Sequence, residues 1–330
     1  DSADAEPMTR VAVLAAVLAA LLVAATAGAA DEFAYVRSAA TGDGVVIVDS
    51  RPLDDCRAKT LAGARCLPSA DFLGPNRRLP DARNLLWLLG TAGLAGDEQV
   101  LVVGQDGVAR DFVAGLLHVA GQRSVRVLTE PVVRVLEGGA AAGPGRERAM
   151  IREQVYEAPM RDALLVLRDE LAAMRPLPGL LDGRPDAEYW GEVARAARTG
   201  HLPGAVSLPA PQLRAALDPA AARPLLPDPA RERPVAYAHD AYEGLAYLTL
   251  LVAGHGVPAR LYAEGWAEWA ADGALPADAV GFPERAMHAA ADEPAPRAGV
   301  LRPESALAAA VALILAAFAF GRWTGRRRTS

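Results

Sequence analysis

The sequence predicts an α/β protein made of two doubly wound parallel-sheet domains in tandem, with an apolar helix at each end. Three observations lead there. The chain repeats itself: VVIVDSRP (residues 45–52) returns as GLLDGRP (179–185), and GARCLPSADF (63–72) as GAVSLPAPQL (204–213). EQVLVVGQDG (98–107) returns as RPVAYAHDA (233–241), and VAGQRSVRVLTE (119–130) as VAGHGVPARLYAE (252–264), all in the same order. Within each copy, short apolar runs bounded by turn residues alternate with longer apolar-periodic segments such as 110–119 and 242–252, the signature of parallel strands covered by helices on both faces. Finally, two long runs carry no charge at all, residues 11–30 and 306–320.

Taken in order, Met8, Thr9 and Arg10 precede an apolar run that closes in ATAGAA before Asp31, so residues 1–30 read as a signal peptide or an uncleaved signal anchor. Residues 31–136 form the first domain and 151–272 the second. The Gly/Ala-rich piece between them, 137–150, reads as an exposed linker. The Ala-, Pro- and acid-rich stretch 273–303 reads as a stalk leading to a transmembrane helix over 304–321. Trp323 and the arginines of the tail 322–330 suit the inner interface. This places both domains on the periplasmic, extracytoplasmic side of a bacterial cytoplasmic membrane, with the membrane as partner through the C-terminal helix.

Composition narrows the function further. The 330 residues carry a net charge of -6, and outside the tail no basic stripe is present, which excludes a nucleic-acid partner. Cys56 and Cys66 are the two cysteines, and they read equally as one disulfide or as two packed thiols. No spaced Cys/His set supports a metal site, and no phosphate-binding or dinucleotide loop supports a cofactor.

LLDGRPDAEYWGE (180–192), TGHLPGAVSLP (199–209) and RLYAEGWAEW (260–269) together resemble the second domain of the tandem rhodaneses, the thiosulfate and mercaptopyruvate sulfurtransferases. The resemblance spans roughly residues 34–271 and is weaker in the first copy. It implies structural roles for Asp49, Arg51, Asp182, Arg184, His201, Gly204 and Trp266. It also implies a cysteine nucleophile directly after the strand ending at Tyr237, opening a loop whose N–H groups stabilise a persulfide. Ala238 stands there, and a methyl group cannot accept sulfur. The rest of that loop, His239, Asp240, Ala241, Tyr242 and Glu243, lacks the expected cation, and Glu188 stands where the family commonly has an arginine before the aromatic at 189. Read along the chain, these carboxylates predict repulsion of small anions. The matching loop of the first domain, Gly104, Gln105 and Asp106, has no thiol either.

The expectation is therefore a catalytically inactive, membrane-anchored binding or scaffold module with an unidentified protein partner. The alternative is a thiosulfate-type sulfurtransferase that uses Cys56 or Cys66. His239 and Asp240 read as a solvated loop pair, and His118 and His255 as helix caps or surface residues.

Overall fold

The computed structural model describes residues 32–39, 44–217 and 233–278. The apolar helices expected at the two ends, most of the expected stalk and the basic tail lie outside the described residues. Within the described residues, no helix is long and apolar enough to cross a membrane.

The first lobe runs β1 (Glu32–Val36), β2 (Val45–Asp49), α1 (Leu53–Ala58), β3 (Thr60–Leu61), β4 (Arg65–Cys66), α2 (Ala82–Thr91), β5 (Gln99–Val103), α3 (Gly107–Val119), β6 (Ser124–Leu128), α4 (Val132–Glu137), β7 (Ala142–Gly143) and β8 (Arg146–Glu147). The second runs β9 (Leu165–Val166), α5 (Arg168–Ala173), β10 (Leu180–Asp182), α6 (Asp186–Tyr189), β11 (Ala205–Ser207), α7 (Ala210–Ala215), β12 (Val235–Tyr237), α8 (Ala241–Thr249), β13 (Arg260–Tyr262) and α9 (Gly265–Ala271). The first sheet has the order β1-β6-β5-β2-β4-β8, and the second, read from the other edge, β9-β13-β12-β10-β11. One five-strand order thus appears twice, with β8 added to the first, and every pairing within these two sheets is parallel.

Local chemistry explains the elements. Apart from the exposed Gln99 at the start of β5, the central strands β5 and β12 consist of Val, Leu, Ala and Tyr, all buried, as a sheet covered on both faces requires. Three long helices begin at aspartates that cap them. Asp81 accepts from Asn84 N–H at 2.8 Å, Asp106 from Ala109 N–H at 2.7 Å and Asp240 from Glu243 N–H at 3.0 Å.

The lobes join along α3 and α8, whose buried residues Phe112, Leu116, Leu245 and Leu248 belong to one continuous core. Gly115 makes the approach possible: a Cβ there would stand 2.4 Å from the Leu245 carbonyl oxygen and 2.7 Å from Thr249 Oγ1. Thr249 Oγ1 in turn donates to the Asp111 carbonyl at 2.7 Å.

Two expected boundaries shift. The piece 137–150 is largely exposed, as a linker would be, but it is not free of the fold. Its β7 pairs antiparallel with β3, and β8 extends the first sheet beyond β4. Gly145 allows this return because its backbone lies against the Cys56 and Cys66 sulfurs, with its N–H donating to the Cys56 carbonyl at 3.0 Å. The stalk also starts later than its composition implied. Trp269 Nε1–H donates to the Pro276 carbonyl at 2.8 Å, and His201 and Asp278 exchange backbone hydrogen bonds at 2.9 and 3.0 Å, so residues through 278 still belong to the second lobe.

Candidate binding cleft

Each lobe is cornered by its Asp-x-Arg motif. In the second, buried Asp182 accepts from Arg184 Nη2 at 2.6 Å and from the Tyr237 hydroxyl at 2.6 Å, while Arg184 also donates to the Gly200 carbonyl at 2.9 Å and lies over the Trp266 ring at 4.8 Å. Burial pulls the Arg184 guanidinium toward lower pKa, but Asp182 outweighs it and the net shift is upward. For the Tyr237 phenol, burial first and Asp182 second both raise the pKa. In the first lobe Asp49 holds Arg51 Nη2 at 2.7 Å and the Thr60 hydroxyl at 2.6 Å. These groups are sealed into the core and organise turns. His201, stacked on Tyr189 at 3.8 Å with Nδ1 3.0 Å from the Tyr189 carbonyl, and Gly204, at φ +74°, do the same for the following turn.

The loop that opens at Ala238 follows the end of β12 directly. Its backbone is tied to the start of α9: the Ala238 carbonyl accepts from Trp266 N–H at 2.9 Å and the His239 carbonyl from Ala267 N–H at 2.9 Å. Gly265 permits that join, with φ +62° and room for no Cβ, since one would fall 2.4 Å from the Ala238 oxygen. Ala238 itself borders a cleft of about 420 Å³ between the lobes, together with Gly183, Tyr242, Glu243, Arg77, Arg195 and Arg214.

The charge of this cleft differs from the sequence expectation. Asp240, Glu243 and Glu188 do not leave it with unopposed negative charge, because each meets an arginine brought from elsewhere. Arg77 reaches over from the first lobe, with Nε 3.3 Å from Asp240 and its guanidinium stacked 4.3 Å above the Tyr242 ring. Arg195 bridges Glu188 at 2.8 Å and Glu243 at 2.6 Å. Burial alone would raise the Glu188 carboxyl, but its contacts with His239 and Arg195 outweigh burial and hold it below the ordinary value. The repulsion of anions inferred from the loop alone is thereby corrected: the cleft is a nearly balanced field of fixed ion pairs, with three guanidinium groups on its wall. Reading the loop by itself missed them because Arg77, Arg195 and Arg214 are far from it in sequence. A second correction concerns His239, which is buried rather than solvated and faces Glu188, Nδ1 to Oε2 3.6 Å, instead of pairing with Asp240. His255 stands at the C-cap of the helical turn Leu250–Gly254, one of the two expected places, and is buried there with Nε2 3.1 Å from the Leu213 carbonyl.

The matching corner of the first lobe is filled. A Cβ on Gly104 would lie 2.4 Å from Ser50 Oγ and 3.1 Å from Arg110 Cβ. Next to it, buried Asp111 pairs with Arg110 at 2.8 Å and with Arg214 of the second lobe at 3.0 Å, so the loop region serves as part of the joint. Gln105 is exposed, and Asp106 caps α3. Cys56 and Cys66 form a disulfide in this lobe, both sulfurs' residues being buried. Among the described residues no cluster of three or more His, Cys, Asp and Glu residues is arranged to hold a metal ion.

Comparison with known proteins defines the class of the second lobe. Residues 167–272 match the rhodanese-like domain. A putative thiosulfate sulfurtransferase of Synechococcus elongatus is 31% identical over 160 residues, covering 46% of this chain and 48% of that protein. The aligned part thus spans about half the length of that relative. Among solved structures, a probable thiosulfate sulfurtransferase is 26% identical with a TM-score of 0.55, over 72% of this chain and 99% of that one. YnjE, at 16% identity and TM-score 0.60 over 76% of this chain and 66% of its own, shows the shared fold alone. Residues 167–272 thus match the rhodanese-like domain, and the chain is similar to a putative and a probable thiosulfate sulfurtransferase.

Proposed function

We propose that this chain is a tandem rhodanese-like protein in which the first copy has become a structural partner and the second retains the family cleft without its nucleophile. On this reading it binds a ligand or a protein segment at the Ala238 cleft, tethered at the outer face of a bacterial cytoplasmic membrane by its terminal apolar runs, and does not transfer sulfur there. The observation that carries the reading is the methyl group of Ala238 at the end of β12, bordering a cleft of about 420 Å³ in which a family thiol is expected. The second reading, sulfur transfer through Cys56 or Cys66, requires opening a buried disulfide on the other lobe before either sulfur could act.

The test is a thiosulfate-to-cyanide transfer assay on the full chain. No thiocyanate above the uncatalysed rate is expected, with or without mild reductant. Turnover that disappears in Cys56→Ser or Cys66→Ser would establish the alternative. A second arm uses Ala238→Cys, in which the introduced thiol is expected to react with thiosulfate, because the arginines and the loop N–H groups of the cleft are still in place.

A further inference from the structure

We propose that the seam between the lobes holds a second ligand site, selective for a small molecule with an apolar body and one cationic head. It rests on a cavity of about 500 Å³, within the range of small-molecule sites, whose lining shares no residue with the Ala238 cleft. Leu245 of α8 lines this cavity, whereas Tyr242, Glu243 and Ala246 line the Ala238 cleft, so the two are separate spaces. Its walls come from both lobes: Leu79, Leu85 and Leu116 from the first, Leu165, Leu245 and Tyr262 from the second.

The charges that line it are unbalanced. Asp169, Glu170, Glu264 and Glu268 line it with Arg168, and Arg260 and Arg78 reach two of them from outside the lining, so among the described residues carboxylates outnumber cations. Arg168 is held by Asp169 at 3.0 Å, and Glu170 is held by Arg260 at 2.7 Å. Among the described residues Glu264 meets one cation within ion-pair distance, the exposed Arg78 at 3.5 Å, a weak pair. Glu268 meets no cation within ion-pair distance among the described residues, and its partner is the buried Tyr262 hydroxyl, which donates to it at 2.8 Å. Two carboxylates at the edge of an apolar cavity are thus weakly compensated or lack a cationic partner.

That arrangement selects by sign. An ammonium group placed there gains attraction in a partly desolvated setting, and a carboxylate of the same shape is repelled. A neutral molecule gains only the apolar burial. The site is independent of sulfur chemistry, since none of its walls belongs to the Ala238 cleft.

The test is calorimetric titration of the full chain with 2-phenylethylammonium, 2-phenylethanol and 3-phenylpropionate, which share an aromatic body and differ in the charge of the head. The ammonium compound is expected to saturate about one site per chain and to bind about tenfold or more tighter than the alcohol, the carboxylate being weakest. Glu268→Gln should bring the ammonium compound to about the affinity of the alcohol. Ala82→Trp, at an exposed position on the cavity wall, should block all three without disturbing the core, which keeps the test decisive if the Glu268 variant folds poorly. Ala238→Cys should bind as the unaltered chain does, separating this site from the reading given above. Failure to saturate, equal affinity for the three probes, or binding unaffected by Ala82→Trp overturns the proposal.

Discussion

The same corner is built twice in this molecule with its bulk on opposite sides. In the first lobe the middle residue of the Asp-x-Arg motif is Ser50, whose hydroxyl donates to the Val103 carbonyl at 3.1 Å, and the facing loop position is Gly104, which has no room for a Cβ. In the second lobe the middle residue is Gly183, pressed against the Tyr247 ring, and the facing loop position is Ala238, which borders open space. Ser50 N–H and Gly183 N–H bond the matching carbonyls of Val103 and Tyr237, both at 2.9 Å, so the backbones are equivalent and only the side chains have traded places. The trade separates two fates of one repeat. Where the motif side chain fills the corner, the loop has become part of the joint between lobes; where it does not, a cleft persists.

The largest effect tests the joint. Asp111→Ala leaves Arg110 buried beside Arg214 with no carboxylate and should cost about 3–5 kcal/mol, seen as a lower denaturant midpoint for the full chain. The corner itself comes next. Gly104→Ala forces a methyl group against Ser50 and should cost about 1–3 kcal/mol. Adding Ser50→Gly, which gives the first lobe the second lobe's pairing, should recover most of that loss. Ala238→Ser, facing the cleft, should stay within about 1 kcal/mol of the unaltered chain. Equal losses at 104 and 238 would break the comparison.

A third, smaller effect concerns pH. The Glu188 carboxyl is held below its ordinary value of 4.5, so its stabilisation is complete above pH 4.5 and is lost as pH falls through the depressed folded value. Glu188→Gln should therefore lower stability at neutral pH, where the ionised carboxyl is stabilising, and change it little well below the depressed folded value, so the acid limb of the profile flattens. The smallest effect is at Arg77, whose φ of +56° lies in the left-handed region. Arg77→Gly should be about 1 kcal/mol more stable than Arg77→Ala, because only glycine occupies that region without strain. Thermal melts of the two variants decide it.

Much of this was legible in the chain. The internal repeat and the strand-helix alternation gave the doubly wound parallel sheets, because apolar periodicity is a local property that each segment carries with it. The methyl group at Ala238 and the Asp-x-Arg turns were readable for the same reason, being positions within quoted motifs. Other features were not. β7 and β8 lie in a Gly/Ala-rich stretch with no strand pattern, and they pair because the disulfide corner offers a free sheet edge and Gly145 can approach it. The burial of His239 against Glu188 depends on α6 and the loop meeting across 50 intervening positions, which loop composition does not convey.

What the sequence determined by itself, then, is the architecture of each copy and the identity of the atom at the end of β12, since both follow from the order of residues along one segment. The sign of the cleft was decided by tertiary packing, which brings Arg195 of the second lobe and Arg77 of the first to the loop, and the seam cavity edged by carboxylates by the packing of one lobe on the other. Arg77 stands near Asp240, and Glu264 near Leu79, only because α3 and α8 join at Gly115. Electrostatic interaction falls with distance in space and not with distance along the chain, so no inspection of the loop could have supplied its counter-charges.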